Sequence, residues 1–454
     1  MSPRPETRDS ARFSRRRTVT DLTGQGEPLH NAASEPPCPQ VDAPPTARST
    51  AVTQQRTLRI LLFSQVFSGV GLAAGVTVGA LLVQDMLHST ALAGLPSALL
   101  TGGSAVAAVS IGRLSHARGR RPGLAAGYLA GALGAAGVVA AAALELPALL
   151  LLSLFLYGAG TAANLQARYA GTDLAATGNR ARAVSTVLVA TTVGGVVGPN
   201  LAAPAGHLAT SLGLPPLTGL FVISGAAFAV AALVLILWLR PDPLVLARSM
   251  PAEPDARAES EGAKPAERRR PGLWLGVLAM VLSQLVMVAI MTMTPVHMHD
   301  HGHSAAASGL VIAMHVGAMY LPSPLTGALT DRWGPTAGVA ASGTTLLGAG
   351  IIAAASPDDS VVLLTLALVL LGIGWNFGLV SGTAIITDAV AIATRAKTQG
   401  VVDVAVAVAG ATGGIASGLV VAATSYPILS LAGAALALIT VPAVIAVSTR
   451  RARA

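Results

Sequence analysis

Gly327-Ala328-Leu329-Thr330-Asp331-Arg332-Trp333-Gly334 repeats, at an offset of 215 residues, a stretch met earlier as Gly112-Arg113-Leu114-Ser115-His116-Ala117-Arg118-Gly119-Arg120-Arg121. Each copy is a short polar and basic segment set between two long apolar ones. From Leu58 onward, apolar segments long enough to cross a hydrocarbon layer of roughly 30 Å follow one another. Twelve spans are expected, over 58–83, 92–112, 122–143, 147–168, 183–208, 216–239, 273–296, 304–330, 335–355, 360–387, 398–424 and 427–448. Their length argues for helices, because barrel strands would be alternating segments of about ten residues. Each copy of the repeat follows the second span of a set of six, so the chain reads as two related halves.

Composition agrees with this reading. Of 454 residues, 53% are hydrophobic and only 11% charged, where soluble domains carry roughly 25% charged residues. Mean hydropathy is +0.65. Forty-nine glycines and an aromatic content of 4% suit closely packed membrane helices. The single cysteine, Cys38, excludes an internal disulfide framework and a cysteine-based zinc or iron–sulfur centre. No phosphate-binding loop is present, and the glycine-rich stretches lie within spans rather than between a strand and a helix. An ATP-driven machine or an enzyme is therefore not expected, and neither is a resident cofactor.

Residues 1–56 are polar, rich in Pro, Ser, Thr and Arg, and read as a disordered cytoplasmic tail. Residues 57–240 form the expected N-terminal six-helix bundle and 272–449 the C-terminal one. Between them, 241–271 is a charged, proline-containing cytoplasmic linker, and 450–454 is a basic tail. All 29 Lys and Arg fall in the tails, in the loops after spans 2, 4, 6, 8 and 10, or in their flanks. The remaining loops carry acids instead: Asp85, Glu145, Asp300, Asp358 and Asp359. The positive-inside rule places both termini in the cytoplasm. The net charge of +8 is thus a topology signal, and nucleic acid is not an expected partner. The expected partners are the lipid bilayer of the cell (inner) membrane and a transported ion or small solute.

Two six-span halves related by a repeat are a frequent transporter architecture, with cargo held between them near the midplane. Here the sequence resembles the major facilitator superfamily. The loop at Gly327, Asp331 and Arg332 is similar to that family's Gly-x-Leu-x-Asp-Arg-x-Gly signature. The copy at Gly112 departs from it, with His116 where the family has Asp and Ala117 where it has Arg, before Arg120. Gly194-Gly195-Val196-Val197-Gly198-Pro199 in span 5 resembles the family's Gly-x-x-x-Gly-Pro motif, and Pro199 is expected to kink that helix. The resemblance covers about residues 57–449. It implies an all-α membrane carrier in which Gly112, His116, Arg120, Gly327, Asp331, Arg332, Gly198 and Pro199 serve gating or latching.

Ionisable residues inside a span are costly, by at least ~3 kcal/mol at the bilayer centre. Few occur here. Arg168, Asp388 and Asp403 lie near the cytoplasmic ends of spans 4, 10 and 11, where a gate or latch role is expected. Methionine and histidine are more telling. The forty residues 280–319 hold seven of the ten Met and five of the nine His. Met287 and Met291 are four apart on span 7, and His315 and Met319 four apart on span 8, so each pair shares a helix face. Thioether and imidazole are soft to borderline, uncharged donors suited to Cu(I). The bland reading is that methionines fill irregular gaps in a core.

Met-x-x-x-Met followed by His-x-x-x-Met resembles the signature of the CcoA-like copper importers, a branch of the same superfamily. That resemblance implies that Met287, Met291, His315 and Met319 hold copper, as cargo rather than cofactor. Relatives in the branch carry riboflavin, so a small organic solute, imported or exported against protons, remains the alternative. A non-transporting membrane sensor is the alternative of another class. Outside the membrane, His297, His299, His301 and His303 form a tract expected to capture metal. Asn164 and Gln166 on span 4, Asn200, and Trp375-Asn376 on span 10 are expected to line the central cavity.

Overall fold

The computed structural model describes residues 47–87, 95–250 and 265–453. Before the linker come α1 (Ala47–Thr77), α2 (Gly79–Leu87), α3 (Leu95–Arg118), α4 (Arg120–Ala143), α5 (Pro147–Thr172), α6 (Arg180–Asn200), α7 (Ala202–Ser211) and α8 (Gly219–Trp238). The linker holds a short α9 (Pro243–Ser249). After it come α10 (Pro265–Asp300), α11 (Ala305–Tyr320), α12 (Ser323–Trp333), α13 (Pro335–Ala355), α14 (Val361–Ala389), α15 (Arg395–Ala423), α16 (Tyr426–Leu438) and α17 (Thr440–Arg453). Among the described residues there is no strand.

Among the described residues, ten helical stretches are long and apolar enough to cross a membrane. The other two expected spans, 58–83 and 183–208, fall on α1–α2 and α6–α7, which are interrupted rods. Three of the interruptions have one cause. Proline lacks an N–H and its ring collides with the carbonyl four residues earlier. Pro204, Pro324 and Pro442 each stand four residues after the last residue of α6, α11 and α16, namely Asn200, Tyr320 and Leu438. In span 5 the helix breaks at Leu201, two residues after Pro199. Between α1 and α2 the hydrogen bonds continue, Val78 N–H to Ala74 and Leu82 N–H to Val78, each at 3.0 Å.

The expected boundaries shift in three places. Residues 47–56, expected in the tail, are helical and belong to α1. The linker contributes α9 and the start of α10, whose N-terminus reaches back to Pro265. The basic tail continues α17 to Arg453. The tail before residue 47 and linker residues 251–264 lie outside the described residues.

Apolar burial gathers into two main cores. One is built almost wholly from α1–α8, around Leu61, Tyr128, Tyr157, Phe221 and Phe228. The other is built mainly from α10–α16, around Met280, Val286, Leu346, Leu371 and Trp375. The repeat read in the sequence is visible in the backbone. Gly119 and Gly334, 215 residues apart, turn the chain from α3 into α4 and from α12 into α13 at φ +99° and +89°. A side chain would strain that conformation, which glycine adopts freely.

Candidate functional site

His315 sits where α11 crosses α14. Ser304 opens α11 by accepting a hydrogen bond from the Ala307 N–H at 3.2 Å, and His315 follows almost three turns later. The two helices approach closely at Gly372. A Cβ there would stand 2.7 Å from the His315 carbonyl oxygen and 3.0 Å from the Met319 nitrogen. The His315 ring is fully buried. Its Nδ1 lies 2.7 Å from the Leu368 carbonyl, and a carbonyl only accepts, so Nδ1 carries the hydrogen and Nε2 keeps its lone pair. Nε2 is buried and has no hydrogen-bond partner among the described residues. A buried acceptor left unbonded costs about 1–3 kcal/mol. The fold thus holds an imidazole in one tautomer, with its free nitrogen ready for a soft cation or a hydrogen-bond donor.

Met287 and Met319 are buried in the same apolar cluster as Trp375, and Met291 packs against that cluster. Two other methionines of the run, Met280 and Met298, behave as filler. Met298 is fully buried, Met280 fills the space beside Gly382, and Met314 is exposed.

Asn376 is committed to joining helices. Its amide donates to the Met319 carbonyl at 2.7 Å and to Ser323 Oγ at 2.6 Å, and its Oδ1 accepts from Thr326. These bonds bridge the proline-broken junction of α11 and α12. Trp375 Nε1 donates to Gln284 Oε1 at 2.8 Å, and its ring meets Tyr320 edge-on at 5.6 Å. Asn164 donates to Ser68 Oγ at 2.9 Å within a buried network that includes Gln65, Thr191 and Tyr128. Gln166 donates to the Ala108 carbonyl at 2.8 Å, while its Oε1 is buried without a partner among the described residues. The side chains of Gly198, Pro199 and Asn200 lie outside those described.

The two halves meet at the end that carries the basic loops. Gly112 of α3 lies against α15, where a Cβ would stand 2.9 Å from the Ala396 carbonyl and 3.0 Å from Gly400 Cα. Gly112→Val is therefore expected to pry α3 from α15 and to raise modification of a reporter cysteine at Ala108 by a small thiol reagent. Gly327 of α12 packs on Ala181 and Ser185 of α6. Asp331 accepts hydrogen bonds from the Ala181 and Arg182 N–H groups, at 3.0 and 2.9 Å. It thereby supplies the first turn of α6 with a carboxylate, which satisfies two orphan donors and suits the positive end of the helix dipole. Arg332 lies on the same last turn of α12.

His116 is the repeat counterpart of Asp331 and has no carboxylate to offer. Arg248 of α9 takes it up instead, with Nη1 donating to the His116 carbonyl at 2.8 Å and Nη2 lying 3.3 Å from His116 Nδ1. The helix that His116 would serve by symmetry, α15, has no side-chain cap at Thr394.

Charges close this end further. Arg168 donates to Asp403 at 2.6 Å and to Thr383 Oγ1 at 3.0 Å, with Tyr169 Oη also on Asp403 at 3.0 Å. Arg120 pairs with Asp173 at 2.7 Å and reaches Gln399. Two further pairs are reciprocal: Arg180 with Asp388, and Arg395 with Asp173 at 3.9 Å. Arg180 and Arg395 differ by 215, as do Asp173 and Asp388, and so do the touching residues Arg168 and Thr383, and Thr172 and Thr387. Repeat-related residues thus face one another across the interface, the mark of a pseudo-two-fold axis. Sequence reasoning named Arg168, Asp388 and Asp403 but missed Asp173, Arg180, Arg395 and Gln399. Applying the 215-residue offset to Asp388 would have found Asp173.

At the opposite end, the histidine tract is not wholly a loop. His297 and His299 stand on the last turn of α10, with His301 and His303 in the turn that follows. The structure brings His297 and His301 together with Asp358 of the α13–α14 turn. His299 is exposed and outside this group, and His303 Nε2 bonds the Asp358 carbonyl at 2.8 Å.

Two helical halves with a polar, pseudo-symmetric interface are the architecture of a membrane carrier. The chain belongs to the Major Facilitator Superfamily, whose sequence profile matches residues 61–379 and 298–454. It is a multi-pass membrane protein and a secondary transporter of small solutes or ions. It is 55% identical over 395 residues to the MFS-type transporter YddS of Bacillus subtilis, covering 86% of this chain and 90% of the relative. It is 31% identical to the riboflavin transporter RfnT of Brucella anthropi, over 78% of this chain and 86% of that one. Among solved structures it resembles the human organic anion transporter MFSD10, with TM-score 0.69 at 14% identity, covering 86% of this chain and 99% of that one. It also resembles an outward-facing bacterial homologue of the iron transporter ferroportin, with TM-score 0.67 at 16% identity, covering 87% and 99%. At such identities the structural likeness concerns the fold alone.

Proposed function

We propose that this carrier takes copper, as Cu(I), into the cell across the inner membrane, through twelve spans with both termini in the cytoplasm. The observation that carries the reading is the buried, unbonded Nε2 of His315. Its tautomer is set by a backbone carbonyl, as is usual for metal-ligating imidazoles. Met319 lies one turn away, and Met287 and Met291 belong to the cluster packed beside it. Uncharged sulfur and nitrogen donors favour Cu(I) over Mg(II) or Mn(II). They also add no buried charge when the cargo leaves. In this reading, latching at the basic end keeps the site closed to the cytoplasm until the halves rock.

The test is copper accumulation in cells expressing the intact carrier or a Met287→Ala/His315→Ala variant at equal membrane abundance. Carrier-dependent uptake that vanishes in the variant is expected. Equal accumulation by both, no greater than in cells without the protein, would overturn the copper reading. A second reading, riboflavin uptake, draws on the likeness to RfnT and on the aromatic corner of Tyr320, Trp375 and Gln284. Riboflavin accumulation in the same cells, lost on Trp375→Leu, would favour it.

A further inference from the structure

We propose that His297, His301 and Asp358 form a binding site for a divalent transition cation of the zinc class, at the end of the molecule opposite the basic loops. The proposal concerns a site separate from the His315 cluster and stands whatever the carrier's cargo is. Two donors each about 2.1 Å from one ion stand at most about 4.2 Å apart. Asp358 Oδ1 lies 3.5 Å from His301 Nε2 and 3.9 Å from His297 Nε2. Both separations suit a shared ion with no more than a small side-chain adjustment.

Each donor is held by a contact of its own. His301 Nδ1 lies 2.7 Å from the His297 carbonyl, so it carries the hydrogen and Nε2 presents a lone pair toward Asp358. The His297 ring stacks on Tyr426 at 4.4 Å and 13°, and Tyr426 Oη is itself fixed by Thr294 at 2.9 Å. Asp358 is drawn in through its main chain, whose carbonyl accepts from His303 Nε2 at 2.8 Å. That bond ties the α13–α14 turn to the α10–α11 turn. His303 thus acts as a tether and His299 takes no part.

Two imidazoles and one carboxylate are a borderline donor set that favours Zn(II), Co(II), Ni(II) or Cu(II) over Mg(II) and Ca(II). All three donors come from the half that follows the linker. An ion here would pin α10 to the α13–α14 turn without clamping the two halves together.

The test titrates Zn(II) into the full-length protein in lipid nanodiscs by calorimetry, with Co(II) absorption reporting nitrogen and oxygen ligation. One equivalent is expected, with affinity at least about tenfold lower in His301→Gln and in Asp358→Asn. Those side chains are 35% and 66% exposed, so either change leaves packing intact. His299→Ala and Met287→Ala/His315→Ala should bind zinc as the parent does. No zinc binding by the parent chain, or parental affinity in both His301→Gln and Asp358→Asn, would overturn the proposal. Loss of copper uptake with zinc binding intact would separate this site from the translocation site.

Discussion

Asp403→Ala is expected to depopulate the latched conformation by about two to three and a half orders of magnitude. Arg168 is fully buried, and Asp403 is its only carboxylate partner among the described residues. Removing one member of a buried ion pair costs about 3–5 kcal/mol, because the surviving charge stays out of water, and each 1.4 kcal/mol is tenfold. Opening the latch rehydrates Arg168, so the protein should relax toward the conformation open at the basic end. Spin labels at Arg118→Cys and Lys397→Cys, in a Cys38→Ser background, would report the change as a longer label separation. Arg168→Met/Asp403→Leu removes both charges and should restore the short separation. A short separation in Asp403→Ala alone would refute the electrostatic account. A double variant that stays open would show that packing, rather than charge, was lost.

The second large effect concerns the two repeat copies and has opposite signs in each. Asp331→Ala deprives α6 of its carboxylate and leaves the Ala181 and Arg182 N–H groups without that acceptor. The loss of such a cap is about 1–2 kcal/mol, so the latched population should fall roughly tenfold. His116→Asp should do the reverse. It offers α15 the cap that Thr394 does not provide and gives Arg248 an anionic partner. The expected result is a tighter latch and a lower initial rate of uptake. In His116→Asp/Asp331→Ala the two effects should largely cancel. A His116→Asp carrier that turns over faster than the parent would sink this account of the asymmetry.

Much of the frame was legible in the residues. Apolar length marked the spans, because only a helix satisfies its own backbone polar groups within lipid. The Gly112 and Gly327 copies marked the two halves, and the chain's repeat is the same 215 residues that separate Arg168 from Thr383 across the interface. Proline positions explain the interruptions of α6, α11 and α16, but only once Pro204, Pro324 and Pro442 are counted against helix ends rather than singly. Pro199 itself stands two residues before the break at Leu201.

The candidate site was legible as residue types and not as roles. Met287, Met291, His315 and Met319 stood out by spacing, yet nothing in a linear pattern distinguishes a ligand from filler. What the tertiary structure adds is the Leu368 carbonyl, 53 residues away, which holds His315 Nδ1 and leaves Nε2 without a partner among the described residues. Asn376 shows the converse. Its polarity inside a span suggested cavity lining, whereas its bonds to Met319, Ser323 and Thr326 spend it on holding a broken helix together. Asp358 was visible only as an acid in an outward loop.

Neighbours along the chain suffice to mark the apolar spans, the repeat and the side on which basic residues collect. Hydrophobic length, proline sterics and the cost of moving positive charge across a membrane are local or additive, so one dimension is enough to read them. The tertiary structure alone decided which charge meets which, as with Arg168 and Asp403, Arg120 and Asp173, or His301 and Asp358. Those pairings depend on hydrogen bonds and burial between helices far apart in sequence, where a shift of one ångström makes or unmakes a partner.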